Sequence, residues 1–494
     1  MLTEENSIKK VWQRMVIAIV LVLLGIIFWL VSPLIFNNGP VKYAEIEEHF
    51  KYGSIGGERA NGIPYWIWKV LPVMFPDKLP GEGYESLGFI QEAGKDLPIG
   101  FSQSKIGFMR VGQNCATCHA GSLRATPESE REIMTTMPSN TVDLEGYIKF
   151  LAEVGVDKGF TAGEMLPQIE ALGAKLNPLE KLIYRYFAIP QTREALITQR
   201  SQFAFLDQQS AYGPGRVDTF SSYKTRQFNF PIESLEAKEL NGIADFPSIW
   251  QQKPRQGMQL HWDGDNSSVN ERNNSAALAL VTPTTIDFDG IHRVADWLWE
   301  LPPPVYPFAI NEDLALVGKT VYENNCARCH AFGGADTGKV TPIEEIGTDR
   351  GRLDSYTYET LSNQNTLFAD ISYEGQDQRF QNFTKTNGYA NMPLDGLWLR
   401  APYLHNGSVP TLTDLLAKPE NRPQVFYRGY DVFDAENVGF VSDVAQENGK
   451  QYFKFDTSLP GNSNSGHLYG TELDHEAKKA LIEYLKIGED YDRN

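Results

Sequence analysis

Near the start of the chain apolar positions run on without a break: Met15 to Phe36 reads MVIAIVLVLLGIIFWLVSPLIF, 22 residues with no charge. At about 1.5 Å of rise per residue, such a run matches the hydrocarbon thickness of a bilayer and predicts a transmembrane helix over 15–36. Lys9, Lys10 and Arg14 precede it and Asn37 and Asn38 follow, so the charge bias predicts a cytoplasmic segment over 1–14 and export of everything after the helix. The expected location is the inner (cytoplasmic) membrane, single-pass, with the bulk of the chain in the periplasm.

Beyond residue 37 the pattern changes to apolar residues recurring at three- and four-residue steps, in VDLEGYIKFLAEVG, NPLEKLIYRYFAI, LALVGKTVYENN and HEAKKALIEYLKIG, each of which predicts a helix. Prolines in Gly62 to Phe89 forbid a long helix there, while Tyr65, Trp66 and Trp68 ask for a buried or interfacial home. Pro302, Pro303, Pro304 and Pro307 interrupt the pattern after DWLWEL, which predicts two units, 37–307 and 308–494.

The four cysteines all fall in two strings, NCATCHAG over 114–121 and NCARCHAF over 325–332, which leaves no thiol for a disulfide framework. Two thiols spaced to reach the vinyl groups of a haem, with a histidine next in line for the iron, are what C-x-x-C-H supplies. A redox dithiol or half a zinc site needs no histidine directly after the second cysteine, and both strings have one. Cys115, Cys118 and His119, and Cys326, Cys329 and His330, are therefore the candidate attachment sites of two covalently bound haem c groups. A helix before the second string and another closing the chain match the layout of a class I cytochrome c. The expected fold is mainly α: two class I cytochrome c-like domains with long loops and insertions, the N-terminal one heavily elaborated, plus the transmembrane helix.

The second axial ligand decides what each iron can do, because an open position admits oxygen or peroxide and a filled one suits electron transfer. After the second string, His467 (NSNSGHLYG), His405 (APYLHNGS) and Met392 (NMPLDG) are candidates, with His467 preferred because it immediately precedes the closing helix. His49, His292 and His475 sit in charged or helical surroundings and are discounted. No histidine occurs between Ala120 and Leu260, so the first iron is expected to be open or weakly ligated unless His261 folds back.

The formal charge of −18, without any clustered Lys and Arg, excludes nucleic acid and favours a basic small redox protein or a quinone-linked electron partner. Glu47-Glu48, Glu128 with Glu130, and Glu344-Glu345 make calcium a further candidate, although none has the oxygen-ligand spacing of an EF-hand. No G-x-S-x-G, Walker or Rossmann pattern supports hydrolase or nucleotide chemistry.

Several longer strings, GIPYWIW, LPIGFS, VGQNCATCHAG, DFPSIWQQKPRQGMQLHWDGDNSSVNERNNSAAL and RAPYLHNGSVPTLTDLL, together resemble the di-haem cytochrome c peroxidase superfamily, and within it the rubber-oxygenase-like branch. The resemblance implies that His261-Trp262-Asp263-Gly264-Asp265 takes the place of a string carrying a tryptophan between the haems, which makes Trp262 a candidate electron relay. It also implies an acid some way beyond that tryptophan in the peroxidases; here the neighbourhood reads ALALVTPTTID, which weakens a peroxidase mechanism. By the same resemblance the first haem would take O2 or H2O2 in an apolar pocket and the second would be bis-histidine ligated, with His467 as its distal ligand. An unsaturated apolar molecule would then be the substrate. A non-catalytic electron-transfer cytochrome and a haem-based redox or gas sensor remain the alternatives.

Overall fold

The computed structural model describes residues 12–22, Gly25, Ser32 and 38–488. The run expected to cross a bilayer, 15–36, lies partly outside those residues. Where it is described, 12–22, Gly25 and Ser32 are helical. Among the described residues no helix is long and apolar enough to cross a membrane. This overturns the expected transmembrane helix, and with it the single-pass inner-membrane location and the periplasmic placement that rested on it.

Helices form where the periodicity places them, each opened by a side chain that answers an N–H with no intrahelical acceptor, worth about 1 kcal/mol per cap. Asp143 opens Leu144–Val156, a reciprocal box of Asn177 and Glu180 opens Pro178–Ile183, and Asp287 opens Phe288–Glu300. Asn311 opens Glu312–Asn325 and Asp474 opens His475–Ile487. These last two helices pack against each other at Gly318, where a Cβ would lie 1.8 Å from the Ala480 carbonyl oxygen. Only bare backbone permits that approach.

The expected pair of class I cytochrome c-like domains is not what forms: helix accounts for 42% and strand for 13%. Phe101–Ile106 and Phe108–Gln113 make a hairpin whose turn is Gly107 at φ 75°. Flanked by Gly39–Pro40 and Ile63–Pro64, it forms an antiparallel four-stranded sheet that leads straight into the first C-x-x-C-H string. A second hairpin, Ala120–Leu123 with Glu132–Thr135, leads out of it. The first string is thus held between β-elements, and its own helix, Ala116–His119, is a single turn.

Two cores position the strings. Trp68, Phe101, Tyr147, Val154 and Ile169 belong to one, formed by the sheet and the helices packed on it. Leu123, Met134 and Met137 of the second hairpin share the other with Trp398, Phe433 and Leu481. Asp431 ties the same hairpin down: its carboxylate accepts from Arg124 Nε at 2.7 Å, Ser122 Oγ at 2.8 Å and Arg131 Nε at 2.8 Å.

Candidate haem sites

Asn114, just before the first string, is 1% exposed and acts as its clamp. Its Nδ2 donates to the carbonyls of Gly53 and Lys51, and its Oδ1 accepts from Ala116 N at 3.0 Å. Thr117 Oγ1 donates to Gly100 O at 2.8 Å, and a Cβ at Gly100, whose φ is +92°, would meet the Thr117 backbone at 2.6 Å. The turn that carries the cysteines is therefore seated on the sheet.

His119 Nδ1 lies 2.9 Å from Pro247 O. A carbonyl can only accept, so the proton is on Nδ1 and Nε2 keeps its lone pair, the tautomer an iron requires. Burial pushes the imidazole down to about 4, which keeps it neutral. Burial also pushes the Cys115 thiol up to about 11 and Cys118 to about 12. Such thiols lack the lowered pKa of a redox dithiol. Among the described residues no group of three or more His, Cys, Asp or Glu is placed to hold a metal ion. Glu48 and Glu345 of the acidic pairs are engaged by Lys95 and Tyr469.

The second string repeats the proximal arrangement. His330 Nδ1 donates to Met392 O at 2.7 Å, and burial lowers its pKa. His467 faces it: the two ring centres are 6.2 Å apart at 41°. Two metal–imidazole bonds of about 2 Å, plus about 1 Å inside each ring, add to roughly 6 Å, the separation of imidazoles ligating one iron from opposite sides. His467 Nδ1 is buried without a partner, and burial and the neighbouring His330 push the ring down to about 4. The donor set fits a bis-histidine haem.

The loop bearing His467 is locally strained and externally held. His467 has φ +45° and Gly466 φ +76°; a Cβ at Gly466 would lie 2.3 Å from the Gly347 carbonyl carbon. His467 N donates to Ile346 O at 2.8 Å. Arg422, 2% exposed, donates from Nη1 to the carbonyls of Asn464 at 2.5 Å and Gly466 at 2.9 Å.

The two rival ligands are otherwise engaged. His405 stacks on Tyr389 with centroids 4.0 Å apart, its Nε2 lies 2.9 Å from the Tyr389 hydroxyl, and burial keeps it well below the usual imidazole range. Met392 contributes the carbonyl that orients His330. His261, the only candidate to fold back on the first site, is bound through Nδ1 to Asp265 at 2.6 Å.

Trp262 touches segments that belong to each of the two assemblies. Its Nε1 donates to Asp245 O at 2.8 Å, two residues from the Pro247 carbonyl that holds His119. Its ring packs against the cluster of Ile343, Ile346, Leu353 and Tyr389, and Ile346 is the residue whose carbonyl accepts from His467 N. Sequence reasoning missed Pro247, Arg422, Ile346 and Tyr389, since nothing local marks a carbonyl or a side chain that acts on a residue far away in the chain.

A cavity of about 110 Å³, partly open to solvent, borders Cys118. Phe101, Val111, Leu144, Leu151 and Phe203 give it a largely apolar wall.

This assembly has the donor groups a c-type cytochrome uses, and residues 388–427 match the family described as RoxA-like, cytochrome c-like. The matched segment includes Met392, whose carbonyl orients His330, and His405. The match implies haem c and, coarsely, a haem-dependent oxidoreductase. The chain is also similar to two proteins of Sinorhizobium fredii. The uncharacterized protein y4iM is 33% identical over 283 residues, covering 49% of this chain and 64% of that protein. The uncharacterized protein y4iJ is 26% identical over 527 residues, covering 83% of this chain and 85% of that protein.

Proposed function

We propose that the chain is a di-haem oxidoreductase of the oxygenase type that uses O2 or H2O2 at the site of Cys115, Cys118 and His119. The site of Cys326, Cys329, His330 and His467 would be its electron-transfer centre. A haem, when bound, supplies an iron that takes up dioxygen or peroxide where one axial position is open and passes single electrons where both are filled. His119 would hold the first from one side, oriented by Pro247; His330 and His467 would hold the second from both. Trp262, hydrogen-bonded toward the first site and packed against the second, would couple them. The substrate would be an unsaturated apolar molecule admitted to the cavity beside Cys118, and the electron partner a small redox protein or a quinone-linked donor.

The observation that carries the reading is the inequality of the two sites. Of the eight histidines, His467 faces the His330 ring, whereas His49 contacts Gly290, and the rings of His261, His292 and His405 lie against Phe383, Tyr373 and Tyr389. His475 is the first residue of the closing helix. Among the described residues no second imidazole ring faces His119 as His467 faces His330.

Electron paramagnetic resonance of the purified haem-loaded chain, with optical titration by CO and O2, tests it. The expected result is one low-spin bis-imidazole centre that ignores CO and one centre that binds it. Two closed centres in both the oxidised and the half-reduced protein would make the chain an electron carrier; gas binding with no turnover of any alkene or peroxide would make it a sensor.

A further inference from the structure

Three helical segments follow one another without a break: Pro178–Ile183, the π-helical turn Tyr184–Ala188 and Ile189–Gln202. Their inner side is fixed, since Tyr184, Ala188, Ile189 and Leu196 are buried in the core they share with the four-stranded sheet. On the outer side Leu182, Tyr186 and Phe187 are 53%, 64% and 59% exposed. The turn, closed by Ile189 N donating to Tyr184 O, sets them together. With a bond running i→i+5, residues four and five apart share a face, so both rings come round beside Leu182. Such turns are rare and gather at functional sites, and an apolar patch held out in water marks a surface that another surface covers.

Charge narrows what that surface is. The chain carries −18 overall, yet 175–200 holds Lys175, Lys181, Arg185, Arg193 and Arg200 against Glu180 and Glu194. Glu180 is occupied within its own helix, its carboxylate accepting from Asn177 N at 2.8 Å. Lys181 pairs with Glu170, whereas Arg185, beside Tyr186, is exposed. Arg110 adds charge from the sheet: its guanidinium lies 5.3 Å from the Phe108 ring, which meets Tyr184 of the turn at 5.6 Å, and its Nε is buried without an acceptor. An acidic protein would answer the cations alone. Two rings and a leucine flanked by arginine are the composition that settles at a bilayer boundary, the apolar groups among the upper acyl chains and the guanidinium at the phosphates.

We infer that the face of Leu182, Tyr186 and Phe187 rests on an anionic lipid surface, with these three side chains entering it and Arg185 meeting its phosphates. The contact is peripheral, asks for no helix that crosses a bilayer, and is independent of the chemistry proposed above.

All four cysteines belong to the haem strings, so Leu182→Cys gives the haem-loaded full chain one thiol open to an environment-sensitive fluorophore and leaves both rings in place. The probe is a vesicle of equal parts phosphatidylglycerol and phosphatidylcholine with a quencher on the upper acyl chain, set against phosphatidylcholine alone. Leu316→Cys, at a position 71% exposed on Glu312–Asn325, carries the same label as the reference. The expected result is a blue shift and quenching at Leu182→Cys on the anionic vesicles, little of either on phosphatidylcholine, and silence at Leu316→Cys. Arg185→Glu in the labelled chain should weaken the contact by about tenfold, and Phe187→Ser should remove the shift. Silence at Leu182→Cys, an equal response at both labels, an equal response on both vesicles, or an unchanged response in Arg185→Glu overturns the inference. A shift without vesicles that grows with protein concentration overturns it too and gives the face to a second copy of the chain. Should Leu182→Cys fail to fold, Phe187→Cys carries the label and the same outcomes decide.

Discussion

Arg422 donates to the Gly466 carbonyl at 2.9 Å, and so holds the residue immediately before His467. A non-glycine residue at φ +45° pays conformational energy for that backbone, and the bonds from Arg422 and Ile346 offset it. Arg422→Met should cost about 3 kcal/mol, because buried carbonyls lose a charged donor. It should also turn part of the second haem from low-spin to high-spin. Urea melts and low-temperature paramagnetic resonance check the two effects separately.

His467 and His405 respond differently if the second iron is held as proposed. His467→Ala should make the second haem high-spin with both thioether attachments intact, and added imidazole should restore the low-spin spectrum. His405→Ala should leave the spin state alone and lower stability by about 2 kcal/mol, through the cavity and the unsatisfied Tyr389 hydroxyl. Unchanged spectra in His467→Ala would remove it as ligand.

Asp431 gathers Arg124, Arg131 and Ser122 onto the second hairpin. Burial pushes its carboxyl up, but Arg131, Arg124 and Ser122 outweigh that and hold it below the usual 3.8. A lowered acid pKa contributes stability that is present above the unfolded value and is lost as pH falls through the folded one. Asp431→Asn should therefore cost roughly 3 kcal/mol at neutral pH. Below about pH 4 the gap to wild type should close, as wild type takes up the proton the variant cannot. Denaturant midpoints across that range measure it.

Trp262→Phe keeps a ring in the cluster of Ile343 and Tyr389 and loses the hydrogen bond to Asp245. The fold should lose about 1 kcal/mol, both haem spectra should stay as they are, and electron equilibration between the haems should slow. Flash reduction with stopped-flow detection reads the rate. An unchanged rate would leave Trp262 a packing residue.

The attachment strings and the helices were legible in the chain for the same reason: C-x-x-C-H and the recurrence of Leu481, Tyr484 and Leu485 are local patterns. The β-structure was not. Phe101–Ile106 and Phe108–Gln113 mix apolar and polar residues, with Ser102 and Ser104 pointing inward, 0% and 2% exposed, so no clean alternation marks them. The partners of the imidazoles were equally hidden, since Pro247 and Met392 act through backbone carbonyls that any residue could supply. His467 was favoured over His405 by its position before the closing helix and by the family resemblance; what separates them is Tyr389, 16 residues before His405, and no pattern announces it. The apolar run at 15–36 pointed to a spanning helix by composition, and among the described residues no helix is long and apolar enough to cross a membrane.

The carbonyl that orients His119 belongs to Pro247, 128 residues further along the chain, and the clamp on Asn114 is made by residues well before it. The seat of Cys115 and Cys118 thus closes only when stretches on both sides have been synthesised and docked. Inside it the thiols, raised to about 11 and 12, are poor nucleophiles. Covalent attachment at this string therefore belongs to the nascent or partly folded chain. Docking of the Pro247 stretch and burial of the thiols both work against entry of a haem after closure, so the order that suits this string is attachment first and closure second.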